Sequence, residues 1–174
     1  ERFVNVKARV GGVRPSAAVV VATVRALKAH SGRFRVAAGR PLPSEMLVED
    51  PDAVRAGIDN LRAHLRIVRG FGLPAVVAIN AFPGDFDSEH DVIAATALDE
   101  GARVAVGRYV AEGGEGAQEL ALEVAAAAIE PMTPHYSYEL DEPLTAKIEA
   151  VARKVYGADG VDYAPEAAAA IKRF

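Results

Sequence analysis

The chain has 174 residues, of which 51% are hydrophobic, and carries a formal charge of -4. One domain of this length can bury a sizeable core, the mild acidity gives nucleic acid no bulk attraction, and no apolar run approaches the roughly 20 residues that span a bilayer. The absence of cysteine excludes disulfides and thiolate metal sites and leaves the cytoplasm as the default compartment.

The opening ERFVNVKARV has neither an initiator Met nor the basic and apolar regions of a signal peptide, so the chain reads as cut from something longer. Phe3, Val4, Val6 and Val10 alternate as in an opening strand, and the β-branched run 17–24 predicts a fully buried one. Residues 31–48, SGRFRVAAGRPLPSEMLV, have no sustained period and read as an ordered surface excursion. Asp50 offers an N-cap and Pro51 suits the first helical position. Val54, Ile58, Leu61, Leu65 and Val68 then recur at helical spacing as far as Gly72. Arg55, Arg62, Arg66 and Arg69 lie largely opposite that stripe, a pattern that favours a solvated face over a phosphate-binding patch.

Residues 74–80 form a short apolar strand, and Ser88 and Asp91 in SEHD resemble a capping box opening a helix to Glu100, with Gly101 as its stop. Residues 102–106 give another strand, and the loop GRYVAEGGEG leads into a helix over 117–129. This alternation predicts an α/β fold, a mostly parallel sheet with flanking helices, because parallel neighbours need crossovers and their apolar strands need cover. After Pro131 the composition shifts to PMTPHYSYELDEPL, followed by helices over 145–156 and 165–173. The expected division is a partial α/β domain over 1–130 and an appended helical segment over 131–174.

Ligands of open α/β sheets bind beyond the carboxyl ends of the strands. The loops NAFPGDFDS and GRYVAEGGEG both follow strands, and they should share one rim. Asn80 and Asp85 on the first have groups that suit a purine edge, and the same residues suit turn roles, with Phe82 covering the core. On the second, Gly113, Gly114 and Gly116 around Glu115 permit close approach of an anion or flat ligand, or simply form a helix-entry turn. No GxxxxGK[ST] phosphate cradle occurs. The four histidines lack metal-ligand spacing, no serine sits in a nucleophile elbow, and Asp141 and Glu142 read as a helix entry. Catalytic and metal-binding residues are therefore not assigned within the chain.

The segments AAVVVATVRALKAHSG, AGRPLP, VVAINAFPGD, AEGGEG and KVYGADGVDYAPEA, in this order and approximate spacing, resemble formate–tetrahydrofolate ligase. The resemblance covers essentially the whole chain but only a middle to later part of a family chain about three times as long. It implies that a P-loop NTPase-like fold has its P-loop outside these residues, and that catalytic groups lie there too. It also implies an ATP- and magnesium-dependent reaction of one-carbon metabolism. Formate is phosphorylated to formyl phosphate, and tetrahydrofolate captures the formyl group to give 10-formyltetrahydrofolate, ADP and phosphate. The parent protein is then expected to be a cytoplasmic homotetramer, and the segment alone to be inactive.

On the same resemblance Phe82 matches an aromatic that stacks on the pterin, with Val110, Gly113, Gly114, Glu115 and Gly116 as the facing wall and Asn80 and Asp85 on the nucleotide side. Val110 stands where many family members have a second stacking tryptophan, which argues against a two-ring sandwich. Ala81 replaces a frequent basic residue, and Ser16 a frequent acidic one. Two other functions stay open: a dethiobiotin synthetase-like ligase of another carboxylate, and a non-catalytic assembly module.

Overall fold

A computed structural model of the chain describes residues 1–37 and 39–173. In chain order, helical residues Phe3–Ala8 and α1 (Arg9–Gly11) lead to β1 (Ala18–Ala22), α2 (Val24–His30), α3 (Pro51–Gly57), α4 (Asp59–Gly70) and β2 (Ala75–Asn80). There follow α5 (Asp87–Asp99), β3 (Arg103–Gly107), α6 (Tyr109–Glu112), α7 (Gln118–Ala128), α8 (Leu144–Tyr156) and α9 (Pro165–Ile171). The chain forms two compact units, one of residues 16–69 with 73–132, the other of residues 1–15 with 70–72 and the chain from Thr133 on.

The larger unit is built on a three-stranded parallel sheet in the order β1-β2-β3, as the alternation of strands and helices requires. Val76, Val77, Ala78 and Ile79 of the central strand are all buried, so both of its faces are covered. Val77 and Ile79 join Leu27, Val54, Ile58, Leu61, Leu65 and Ile93 in one core with α2 to α5. Each such leucine or isoleucine stabilises the fold by about 1.5–3 kcal/mol through its burial. On the other face α7 packs against β2 and β3, with Ala127 fully buried. Arg103 of β3 fastens this helix end through Glu123 at 2.9 Å and Glu130 at 2.7 Å.

β1 departs from the expectation of a fully buried strand. Val19 and Val21 are 45% and 63% exposed, whereas Ala22 is buried and Val20 packs on the core. The register sets Val19 beside Val76 and Val21 beside Ala78, on the face that α7 covers over β2 and β3. The strand also ends at Ala22, because Thr23 is extended and its side chain caps α2 by accepting the Ala26 amide at 3.1 Å.

The helix expected over 50–72 begins as predicted, with Asp50 accepting the Ala53 amide at 2.8 Å and Pro51 in the first turn. It is interrupted at Ile58. Gly57 lies so close to α2 that a Cβ there would sit 1.9 Å from the Leu27 carbonyl oxygen. Residues 31–48 carry a single short helical turn, Ser44–Leu47, among the described residues, and Ala38 lies outside them. The capping expectation at SEHD is displaced by two residues toward the N-terminus: α5 starts at Asp87, and Glu89, three residues after Phe86, reaches back to the Phe86 amide at 3.3 Å. Ser88 instead donates to Glu49.

The smaller unit corrects the opening strand, since residues 3–11 are helical. Val4, Asn5 and Ala8 are buried while Val6 and Val10 are exposed, so the apolar pattern serves a helical face rather than a pleat. Asn5 donates to the Ser137 hydroxyl at 3.0 Å and accepts the Ser137 amide at 2.9 Å, which closes a buried polar pair within the unit. α8 and α9 fall where helical spacing put them.

Candidate functional site

The carboxyl ends of β2 and β3 bring the two loops together. Asn80 is in register with Gly107, and the Ala81 amide extends the pairing by donating to the Gly107 carbonyl at 3.0 Å. Each loop leaves the sheet at this point, which is the shared rim that adjacent parallel strands should produce.

In the first loop Phe82 and Asp85 close a tight turn. The Phe82 amide donates to Asp85 Oδ2 at 2.9 Å, and the Asp85 amide donates to the Phe82 carbonyl at 3.0 Å. The Asp85 carboxylate is 5% exposed and faces two further groups, Arg25 Nε at 4.0 Å and His90 Nε2 at 3.7 Å. The guanidinium of Arg25 lies over the Phe82 ring, 4.5 Å from its centroid. Asp85 is thus turned inward and shapes the loop that presents Phe82. Asn80 Oδ1 is buried without a hydrogen-bond partner among the described residues, as are both ring nitrogens of His90.

The second loop begins with α6, on which Val110 is 56% exposed. Tyr109 turns back over the end of β3, close enough that a Cβ on Gly107 would lie 2.0 Å from its ring. Gly113 ends α6 at φ 59 and ψ -134, a conformation that side-chain-bearing residues avoid. Gly114 and Glu115 are exposed, and Gly116 packs under Arg108, whose amide donates to the Gly116 carbonyl at 3.0 Å. A Cβ at 116 would meet the Arg108 carbonyl carbon and oxygen at 2.7 Å. Gly116→Ala is therefore expected to push the loop off the rim and cost about 1–3 kcal/mol, which urea unfolding of the full-length protein checks; a change under about 0.5 kcal/mol would show that the loop yields freely.

Below the first loop lies a cleft of about 200 Å³ between Met46 and Leu47 on one side and Pro83 and Gly84 on the other. Its floor holds a buried ion pair, Lys28 with Glu89, each 1% exposed. Lys28 Nζ also donates to the carbonyls of Met46 at 3.1 Å and Val48 at 2.6 Å. Glu89 accepts the Asp50 amide at 2.8 Å in addition to that of Phe86. One carboxylate thus joins α2, the end of the 31–48 excursion, the start of α3 and the exit of the Phe82 loop.

Sequence reading assigned no role to Arg25, Lys28 or Glu89. Two signals were present. Lys28 follows Val24 and Leu27 on the core face of α2, where a charge must find a partner, and Glu89 occupies the third position of its helix, from which a carboxylate can reach back to free amides. Among the described residues no group of three or more His, Asp or Glu side chains converges as a metal site, and no helix is long and apolar enough to cross a membrane.

The family model for formate–tetrahydrofolate ligase matches residues 1–174. Curated relatives named formate–tetrahydrofolate ligase include one from Saccharopolyspora erythraea, 57% identical over 98% of this chain and 30% of its own length. Another, from Cutibacterium acnes, is 50% identical over 100% of this chain and 31% of its own length. A third, formate–tetrahydrofolate ligase 3 of Rubrobacter xylanophilus, is 50% identical over 100% of this chain and 32% of its own length. The chain spans about 30% of the length of the first of these relatives, and on this sequence evidence it belongs to the formate–tetrahydrofolate ligase family.

Proposed function

We propose that this chain forms the folate-facing rim of an ATP-dependent formate–tetrahydrofolate ligase. The observation that carries the reading is the paired exit at Asn80 and Gly107, from which the Phe82 loop and the glycine-rich loop leave adjacent strand ends, in a chain of this family. Phe82 stacks on the pterin, and Val110, Gly113, Gly114, Glu115 and Gly116 form the facing wall. Asn80, whose Oδ1 has no partner among the described residues, faces the nucleotide, and Asp85 belongs to the same side through the turn it holds.

In the whole protein formate oxygen attacks the terminal phosphorus of ATP, releasing ADP and leaving formyl phosphate. The folate amine then attacks the formyl carbon and expels phosphate. Magnesium, when bound, neutralises charge that develops in the first step. This segment contributes to the second, by holding the amine close to a labile acyl phosphate and limiting the access of water. The phosphate cradle, metal ligands and catalytic groups are assigned to other parts of the protein, which is cytoplasmic and tetrameric on this reading, while residues 1–174 alone turn over no ATP. The family match favours formate over the carboxylates of a dethiobiotin synthetase-like enzyme.

Calorimetric titration of tetrahydrofolate into the full-length protein provides the test. Stacking of a heterocycle on an aromatic side chain contributes about 1–3 kcal/mol, so Phe82→Ala should weaken binding roughly 5- to 150-fold and leave ATP affinity unchanged. An unaltered folate affinity would remove Phe82 from the site.

A further inference from the structure

Arg25 is tied to the Phe82 loop from the neighbouring helix. Thr23 caps the first turn of α2 by accepting the Ala26 amide, and Arg25 lies in that turn. Its guanidinium then lies over one face of the Phe82 ring at 4.5 Å, with Nε 4.0 Å from Asp85 Oδ1, and Asp85 in turn holds the Phe82 backbone at 2.9 Å. The three residues form a triangle of close approaches among the ring, its main chain and the cation, and among the described residues Arg25 Nε makes no hydrogen bond. A lysine could supply charge but not the flat contact, because its ammonium is a compact point charge.

A cation against one face of an aromatic ring attracts the π density and leaves the opposite face poorer in electrons. That opposite face then stacks best on an electron-rich partner. Reduction of a pterin saturates its pyrazine ring, and the amine lone pairs then feed the pyrimidinone ring; oxidised pterin is a fully aromatic, electron-poor bicycle. With Val110 rather than an aromatic at the facing wall, the electronic character of the single Phe82 face carries more of the discrimination.

We propose that Arg25 is a positioning and specificity-determining residue, which locks Phe82 and polarises its free face to select the reduced pterin over the oxidised one. The proposal rests on the reading of Phe82 as the pterin platform. The experiment is anaerobic calorimetric titration of tetrahydrofolate, and separately of folic acid, into the full-length protein and its Arg25→Met, Arg25→Lys, Phe82→Leu and Arg25→Met/Phe82→Leu variants. Arg25→Met should weaken tetrahydrofolate about 3- to 10-fold and folic acid less than about 2-fold, with Arg25→Lys recovering part of the loss. In the Phe82→Leu background the Arg25→Met effect should vanish, since the two residues act as one unit. Equal losses for both pterins, no loss, or a full effect without the ring would overturn the role of Arg25. Phe82→Leu that weakens tetrahydrofolate while Arg25→Met is silent removes Arg25 alone. A silent Phe82→Leu removes the platform, and this proposal with it.

Discussion

Lys28→Met should lower the unfolding free energy by about 3–5 kcal/mol, the usual cost of stranding one member of a buried ion pair. The partner left behind, Glu89, is 1% exposed and cannot recover its hydration. Methionine fills much of the lysine volume, so the loss reports charge and hydrogen bonds rather than a cavity. Two carbonyls, those of Met46 and Val48, lose their donor in the same substitution. Urea unfolding of the full-length protein measures the change. The double variant Lys28→Met/Glu89→Gln removes both charges and should recover part of the loss, because glutamine oxygen can still accept the Asp50 amide. A single-variant cost below about 1 kcal/mol would mean that water reaches the pair and that it behaves as a surface bridge.

Gly57→Ala should be nearly as damaging, at about 3 kcal/mol, although alanine is the better helix former by about 1 kcal/mol in an exposed helix. Gly57 lies at the end of α3, where the helix crosses the backbone of α2. A Cβ would lie 1.9 Å from the Leu27 carbonyl oxygen and 3.0 Å from the Ser31 amide nitrogen, and neither is a flexible side-chain end. Relief requires the helices to part, which opens the core around Leu27, Val54 and Ile58. Gly70→Ala is the internal control, since nothing lies within 4 Å of a Cβ there. Thermal unfolding of both variants decides the matter: a drop confined to Gly57→Ala supports close helix contact, and equal midpoints would exclude it.

The parts of this structure that local pattern could reveal are those whose determinants are near in sequence. The stripe from Val54 to Val68, the Asp50 cap and the apolar run of β2 each fold for reasons contained in a few residues. The shared rim also followed, because sequential parallel strands tend to be neighbours. The opening segment misled because Val4, Val6 and Val10 can be read with a period of two. Only the burial of Val4, Asn5 and Ala8 together reveals a helical face. Around the site, Phe82 was legible as an aromatic at a strand end, but its partners Arg25 and Asp85 meet through tertiary structure. The same holds for Lys28 and Glu89, whose charges are ordinary by composition and become costly only once the fold encloses them.

The exposed valines of β1 have a practical consequence for engineering. Among the described residues β1 is an edge strand with Val19 and Val21 exposed, and such an edge is a template on which a second chain can add backbone hydrogen bonds; natural sheets blunt such edges with lysine or with inward-turned charge. Shortened versions carrying β1 should therefore be designed with lysine at 19 or 21, where the side chain faces outward and the α2–α5 core is untouched.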